Sequence, residues 1–218
     1  MSDSQPTRRP IKTRSAGWAK AIASKLTALG IRPNTISIAS VIAAIAGGVC
    51  LVLSHNQQPL IKGILYVTAA VMIQMRLLCN LFDGMVAVEG GFKTKSGEIF
   101  NDMPDRIADP VLLICVGYAV ERYEIATTLG WAAGLLAVMT AYVRVLAGAC
   151  GAPQRFAGPM AKQHRMAILT VTLIVATISI HWQQQDHILV ASLAVITIGC
   201  IVTVLRRAAF AIKDLESA

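Results

Sequence analysis

Six stretches of about 20 mostly apolar residues, at 34–54, 60–82, 99–120, 125–149, 165–183 and 187–206, leave this chain few ways to fold. A helix of that length crosses the hydrocarbon layer of a bilayer, so the sequence reads as an all-α integral membrane protein with six transmembrane helices. Composition agrees, because only 15% of the 218 residues are charged, where a soluble domain holds about a quarter. The net charge of +8 does not point to nucleic acid. Seven of the twenty Lys and Arg (Arg8, Arg9, Lys12, Arg14, Lys20, Lys25 and Arg32) lie directly before the first apolar span, where they suit anionic lipid head groups.

An even number of spans puts both termini on one side. Counting basic residues in short loops orients the chain with its N-terminus inside. That side collects the N-terminal arm, Lys93 and Lys95, then Arg155, Lys162 and Arg165, and finally Arg206, Arg207 and Lys213, against Lys62 and Arg122 opposite. The first 30 residues lack the continuous apolar core of a signal peptide. The division expected is a basic arm over 1–15, a juxtamembrane amphipathic helix over 16–30, and a six-helix catalytic domain over 31–218. In the amphipathic segment Trp18, Ile22, Leu26 and Leu29 recur at three- and four-residue intervals, as in a helix lying in the membrane interface. Gly30 ends it and Pro33-Asn34 turns the chain into the first span. Five cysteines, spread singly through or beside apolar stretches, read as small packing residues.

Against that background the segment from Asn80 to Asp109 stands out. Asn80 and Asp83 are three apart and share a helical face beside Gly84, whereas Gly97, Asn101, Asp105 and Asp109 recur every four residues. A linker of about a dozen residues lets the two helices lie antiparallel, so that two oxygen-bearing stripes face each other as a hard divalent cation requires. Arg76, four residues before Asn80, lies on the same face and can pair with the stripe.

These residues resemble the CDP-alcohol phosphotransferase family, whose signature reads D-x-x-D-G-x-x-A-R, eight or more residues, then G-x-x-x-D-x-x-x-D. The matching positions are Asn80, Asp83, Gly84, Ala87 and Val88, then Gly97, Asn101 and Asp105. The departures are asparagine at the first and third acidic positions and valine for the arginine. The resemblance implies Mg2+ or Mn2+, one or two ions, held by Asn80, Asp83, Asn101 and Asp105 against the diphosphate of a CDP-linked donor, with Asp105 as base. It also implies donor contacts from Gly84, Ala87, Gly97, Pro33 and Asn34, a membrane-lipid substrate, and a homodimer. Asparagine offers a carbonyl oxygen but no charge, so the four acidic positions carry two negatives rather than four. One ion is the more natural expectation, and Asp109 is the best aimed of the nearby carboxylates to compensate.

Arg144 near the end of the fourth span, followed by Arg155, Lys162, His164 and Arg165, forms a basic group on the same side. It suits a polar, phosphorylated alcohol acceptor. The expected activity is transfer of a substituted phosphate from CDP-diacylglycerol to an alcohol with release of CMP, in the phospholipid synthesis of a bacterial inner membrane. A catalytically impaired member that binds CDP-lipid or serves as a partner subunit stays open as an alternative. A small ion-coupled transporter is a third reading, disfavoured because no inverted repeat is evident.

Overall fold

The computed structural model describes residues 16–92 and 97–217, apart from the side chains of Glu98 and Asn101. The 1–15 arm, Lys93, Lys95 and the Asn101 side chain therefore lie outside the described residues. What is described is helical throughout: α1 (Gly17–Ala28), α2 (Pro33–Leu53), α3 (Pro59–Glu89), α4 (Gly97–Ala119), α5 (Ile125–Ala149), α6 (Lys162–Ser179), a single 3-10 turn (Ile180–Trp182) and α7 (Gln185–Glu216). Proline opens both α2 and α3, where its missing N–H would have had no partner in any case.

Five helices, α2, α3, α5, α6 and α7, are long and apolar enough to cross a membrane, and the chain is an integral membrane protein. Another helix, α4, has the length but holds Asp102, Asp105, Arg106 and Asp109 between its first turns and its middle. Two helices outrun the bilayer. At 1.5 Å per residue, the 31 residues of α3 and the 32 of α7 are each well over the ~30 Å hydrocarbon thickness. α3 stays helical to Glu89, past the expected end of the second span at 82, so Asp83, Gly84 and Ala87 sit on its last turns.

Around the bundle the neighbours run α2, α4, α5, α7, α6, α3 and back to α2. The expected side-by-side pairing of α3 and α4 is replaced by a wedge, because α2 packs extensively against both. The reason lies in small side chains. In lipid no water is expelled when helices meet, so close backbone approach drives association. Between Ile36 and Leu51 the buried face of α2 is small, Ser37, Ser40, Ala44, Gly47 and Gly48, and a Cβ on Gly48 would come within 2.9 Å of the Cys115 sulfur of α4. The α4–α5 crossing is tighter still, since a Cβ on Gly117 would meet the Ala126 carbonyl oxygen at 2.6 Å and one on Gly130 the Leu113 carbonyl oxygen at 2.9 Å. Large apolar side chains such as Ile38, Ile42 and Ile45 of α2 point outward, as lipid-facing residues do.

In α1 the buried face is not the large apolar one. Ala19 and Ala23 are fully buried against α3, whereas Trp18, Ile22 and Leu29 are exposed. Trp18 meets Phe82 of α3 edge-on, with ring centroids 6.2 Å apart. The small residues dock the helix and the large ones are left to face outward.

Candidate active site

At the end of the bundle where α3 and α7 finish and α4 and α6 begin, carboxylates and cations from four helices interlock. Asp83 is buried on α3. Its Oδ2 accepts a hydrogen bond of 2.8 Å from the Ser37 hydroxyl on the first turns of α2, while its Oδ1 is buried with no partner among the described residues. A buried carboxylate oxygen left so is costly, and it suits a cation or a donor brought by a ligand.

Asp105 on α4 faces the same region. Its Oδ1 accepts from Arg76 Nη2 at 3.0 Å and from the Asn80 amide at 3.1 Å, both on α3, and its Oδ2 is paired with Lys162 at the start of α6. One turn further on, Asp109 is buried between Arg76 and Arg165. Arg76 Nη2 reaches its Oδ1, and Arg165 Nη2 reaches its Oδ2 at 2.6 Å. Arg76 is fully buried, and its Nε and Nη1 have no partner among the described residues. Asp109 is thus fully engaged and is not available to replace a missing ligand.

The basic group divides. Lys162 joins Asp105, and Arg165 is built into the bundle, also donating 2.8 Å to the Met160 carbonyl and 3.3 Å to Thr140. Arg144 pairs with Asp102 at 2.9 Å, lies over the Phe156 ring, and remains partly exposed. Arg106 also pairs with Asp102. Arg155 points elsewhere, gripping Asp214 of α7 with two bonds of 2.7 and 2.8 Å, which hold its guanidinium above the usual pKa range. His164 is exposed, with Nδ1 2.6 Å from the Pro159 carbonyl. Pro33 supplies a carbonyl to Ser37; Asn34, Gly84 and Ala87 lie at the same end, half-buried.

The path of the α5–α6 loop decides which cations enter the site. Gly158, at φ +112°, passes so close to α7 that a Cβ would meet Thr203 at 2.6 Å. The Met160 N–H donates to the Thr203 hydroxyl at 2.9 Å, and Arg207 Nε to the Ala157 carbonyl at 2.9 Å. Pinned so, the loop delivers Lys162 and Arg165 to the carboxylates. Two participants escaped the sequence reading. Ser37 gave no signal beyond being a polar residue one turn after Pro33-Asn34, and Arg207, buried on α7, was counted only as an orienting charge.

Comparison with solved structures fixes the architecture. Mycobacterium tuberculosis phosphatidylinositol phosphate synthase (PgsA1) with CDP-DAG bound superimposes with a TM-score of 0.75 over 90% of this chain and 94% of that one, at 20% identity. This is the fold of the CDP-alcohol phosphotransferases. The same synthase in complex with manganese and citrate gives 0.74, over 88% of each chain at 19% identity. Among curated proteins, the inner membrane protein YnbA of Escherichia coli (strain K12) is 25% identical over 159 residues, which is 73% of this chain and 75% of that protein. No family model matches.

In a CDP-alcohol phosphotransferase fold the question becomes what this donor set could hold. Among the described residues no three Asp, Glu, His or Cys side chains gather in a way that could hold a metal ion. The unpartnered Asp83 Oδ1 leaves the donor set room for one divalent ion at most. A pair of ions does not fit, because both oxygens of Asp105 already face cationic side chains.

Proposed function

We propose that this chain is a membrane CDP-alcohol phosphotransferase that moves a phosphatidyl group from CDP-diacylglycerol to a polar alcohol and releases CMP. One observation carries the reading: α3 and α4, in a fold shared with a synthase solved with CDP-DAG, bring Asp83 and Asp105 to one end of the bundle beside a partly exposed lysine. In the reaction the acceptor oxygen attacks the phosphorus bonded to the lipid. The bond from that phosphorus to the CMP oxygen breaks, CMP leaves with the electron pair, and the acceptor proton passes to Asp105. A divalent Mg2+ or Mn2+ held by Asp83 with Asn80 beside it would supply charge neutralisation for the diphosphate.

This chain's own residues account for the rest. Ser37 holds Asp83 in place from α2. Lys162 covers Asp105 Oδ2, and its ammonium, about a quarter exposed, can swing to an incoming anion and leave that oxygen free to take a proton. Arg144, next to the site and partly exposed, is the better candidate for an acceptor phosphate. Arg165 is committed to Asp109. The chain is read as six spans, with α4 as the sixth and its charges at the cytoplasmic end, both termini inside, in a bacterial inner membrane. The basic loops and the location in YnbA's name support that orientation and membrane. The outward Trp18 and Ile22 support an interfacial position for α1.

A binding-only role is the second reading, favoured by the saturation of Asp105 with Arg76, Asn80 and Lys162. Purified protein given CDP-diacylglycerol, Mn2+ or Mg2+ and a panel of phosphorylated and plain polyol acceptors should release CMP, and Asp105→Asn should abolish the release. Protection by CDP-lipid against thermal unfolding with no CMP under any acceptor would favour the binding role. CMP release that survives Asp105→Asn would remove Asp105 as the base.

A further inference from the structure

The site holds more fixed positive charge than a two-metal diphosphate site has use for. Asp105 and Asp109 face Arg76, Lys162 and Arg165, so two carboxylates already meet three side-chain cations before any ion arrives, while Asp83 bonds to Ser37. Arg76 is central to that balance. It is fully buried, bridges Asp105 and Asp109 from one nitrogen, and keeps two further N–H nitrogens without a partner among the described residues. A buried guanidinium cannot shed its proton, so this charge is permanent. At the two motif positions where carboxylate is expected, Asn80 and Asn101 bring none, and the Asn80 amide donates to Asp105 rather than offering it a competing negative charge.

We propose that the Arg76 guanidinium is a built-in cation that stands in for the second divalent ion of this site, so that the chain binds at most one ion and meets part of the donor diphosphate's charge with arginine. Three features of the geometry converge on this. Asp105, which a second ion would need, has its Oδ1 on Arg76 and its Oδ2 on Lys162. A divalent ion at that carboxylate would lie beside a like charge that is locked in by Asp109. The loss of two motif carboxylates removes two negative charges, equal to the charge of one divalent ion. The inference rests on the diphosphate-handling reading for its purpose, but the ion count can be tested without turnover.

Free Mn2+ counted by electron paramagnetic resonance during titration of the purified full-length protein gives stoichiometry and affinity directly. One ion or none per wild-type chain is expected, and two would overturn the proposal. Arg76→Lys keeps the charge and should match wild type. Arg76→Gln should tighten Mn2+ more than threefold or admit a further ion, whereas a smaller change would mean that the guanidinium does not occupy an ion's place. Should Arg76→Gln fail to fold with Asp109 left exposed to a single cation, the charge-balanced Arg76→Gln/Asp109→Asn protein carries the same expectation. CMP release, assayed separately, reports on the transferase reading: its absence with at most one bound ion would sink that reading and leave the built-in cation standing.

Discussion

Ser37 and Asp83 illustrate how one hydroxyl can govern a site. The carboxylate is buried, one oxygen accepts from Ser37, and the other has no side-chain partner among the described residues. A hydrogen bond to a charged group is worth about 1.5–3 kcal/mol, and each 1.36 kcal/mol is a factor of ten in rate. Ser37→Ala should therefore lower CMP release about 10- to 100-fold, with Ser37→Thr retaining most of it. Initial rates within twofold of wild type for the alanine variant would remove Ser37 from the site. The residue was invisible in the sequence for a physical reason. A serine in a membrane helix can bond its own preceding turn, as Ser37 also does to Pro33, so its presence does not announce a distant partner. Arg155 and Arg165 were equally indistinguishable beforehand. Only the docking of the loop on Thr203 and Arg207 separates the buried Arg165 from the surface clasp of Arg155.

At the level of elements, the helices were legible and their neighbours were not. Apolar runs of membrane length gave the extent of α2 and α5 to within a residue or so, because length and hydropathy are local properties. Which helix touches which is set by where small residues permit close approach. The stripe from Ser40 to Gly48 puts α2 between α3 and α4, and nothing in the spacing of the acidic residues reveals that. The two polar stripes still meet, since Arg76 and Asn80 reach across to Asp105 beyond the wedge. The α4–α5 crossing is where this packing tolerates least change. A Cβ on Gly130 would press on the Leu113 and Ile114 carbonyl oxygens at 2.9 and 3.2 Å, and backbone cannot move aside as a side chain can. Overpacking of this kind costs about 1–3 kcal/mol. Gly130→Val should accordingly lower the unfolding temperature in detergent by several degrees and reduce CMP release with it. Gly17→Ala, where nothing lies within 4 Å of the new Cβ, should leave both unchanged. Equal unfolding temperatures for the two variants would show that the crossing is looser than described.

On the scale of the whole molecule the two ends of the bundle are held by different means. The site end is a network of buried charges. The far end is a clasp that joins three connections: Lys62 of α3 donates to Glu121 at 2.5 Å, the Asn56 N–H donates to the same carboxylate at 2.7 Å, and Asp186 at the start of α7 accepts from the Glu121 and Arg122 N–H groups at 3.3 and 2.9 Å. Partial burial alone would raise the pKa of Glu121, but the hydrogen bonds from Lys62 and Asn56 and the Lys62 charge outweigh it and hold the carboxyl below its ordinary 4.5. A carboxylate with a depressed folded pKa stabilises the native state above its unfolded pKa and loses that contribution as pH falls through the folded value. The clasp should therefore be intact at neutral pH and fail below about pH 4.5. Glu121→Gln removes the titrating group and leaves the buried Lys62 without its counter-charge, which is destabilising where the wild-type carboxylate is ionised. The expected result is a lower unfolding temperature for the variant at pH 7 and a gap to wild type that narrows as the pH is lowered past 4.5. Thermal unfolding of both proteins in detergent across pH 7 to 4 measures it. A gap that stays constant over that range would mean that Glu121 does not owe its effect to ionisation, and the far end would then be held by packing around Ile180 and Leu189 instead.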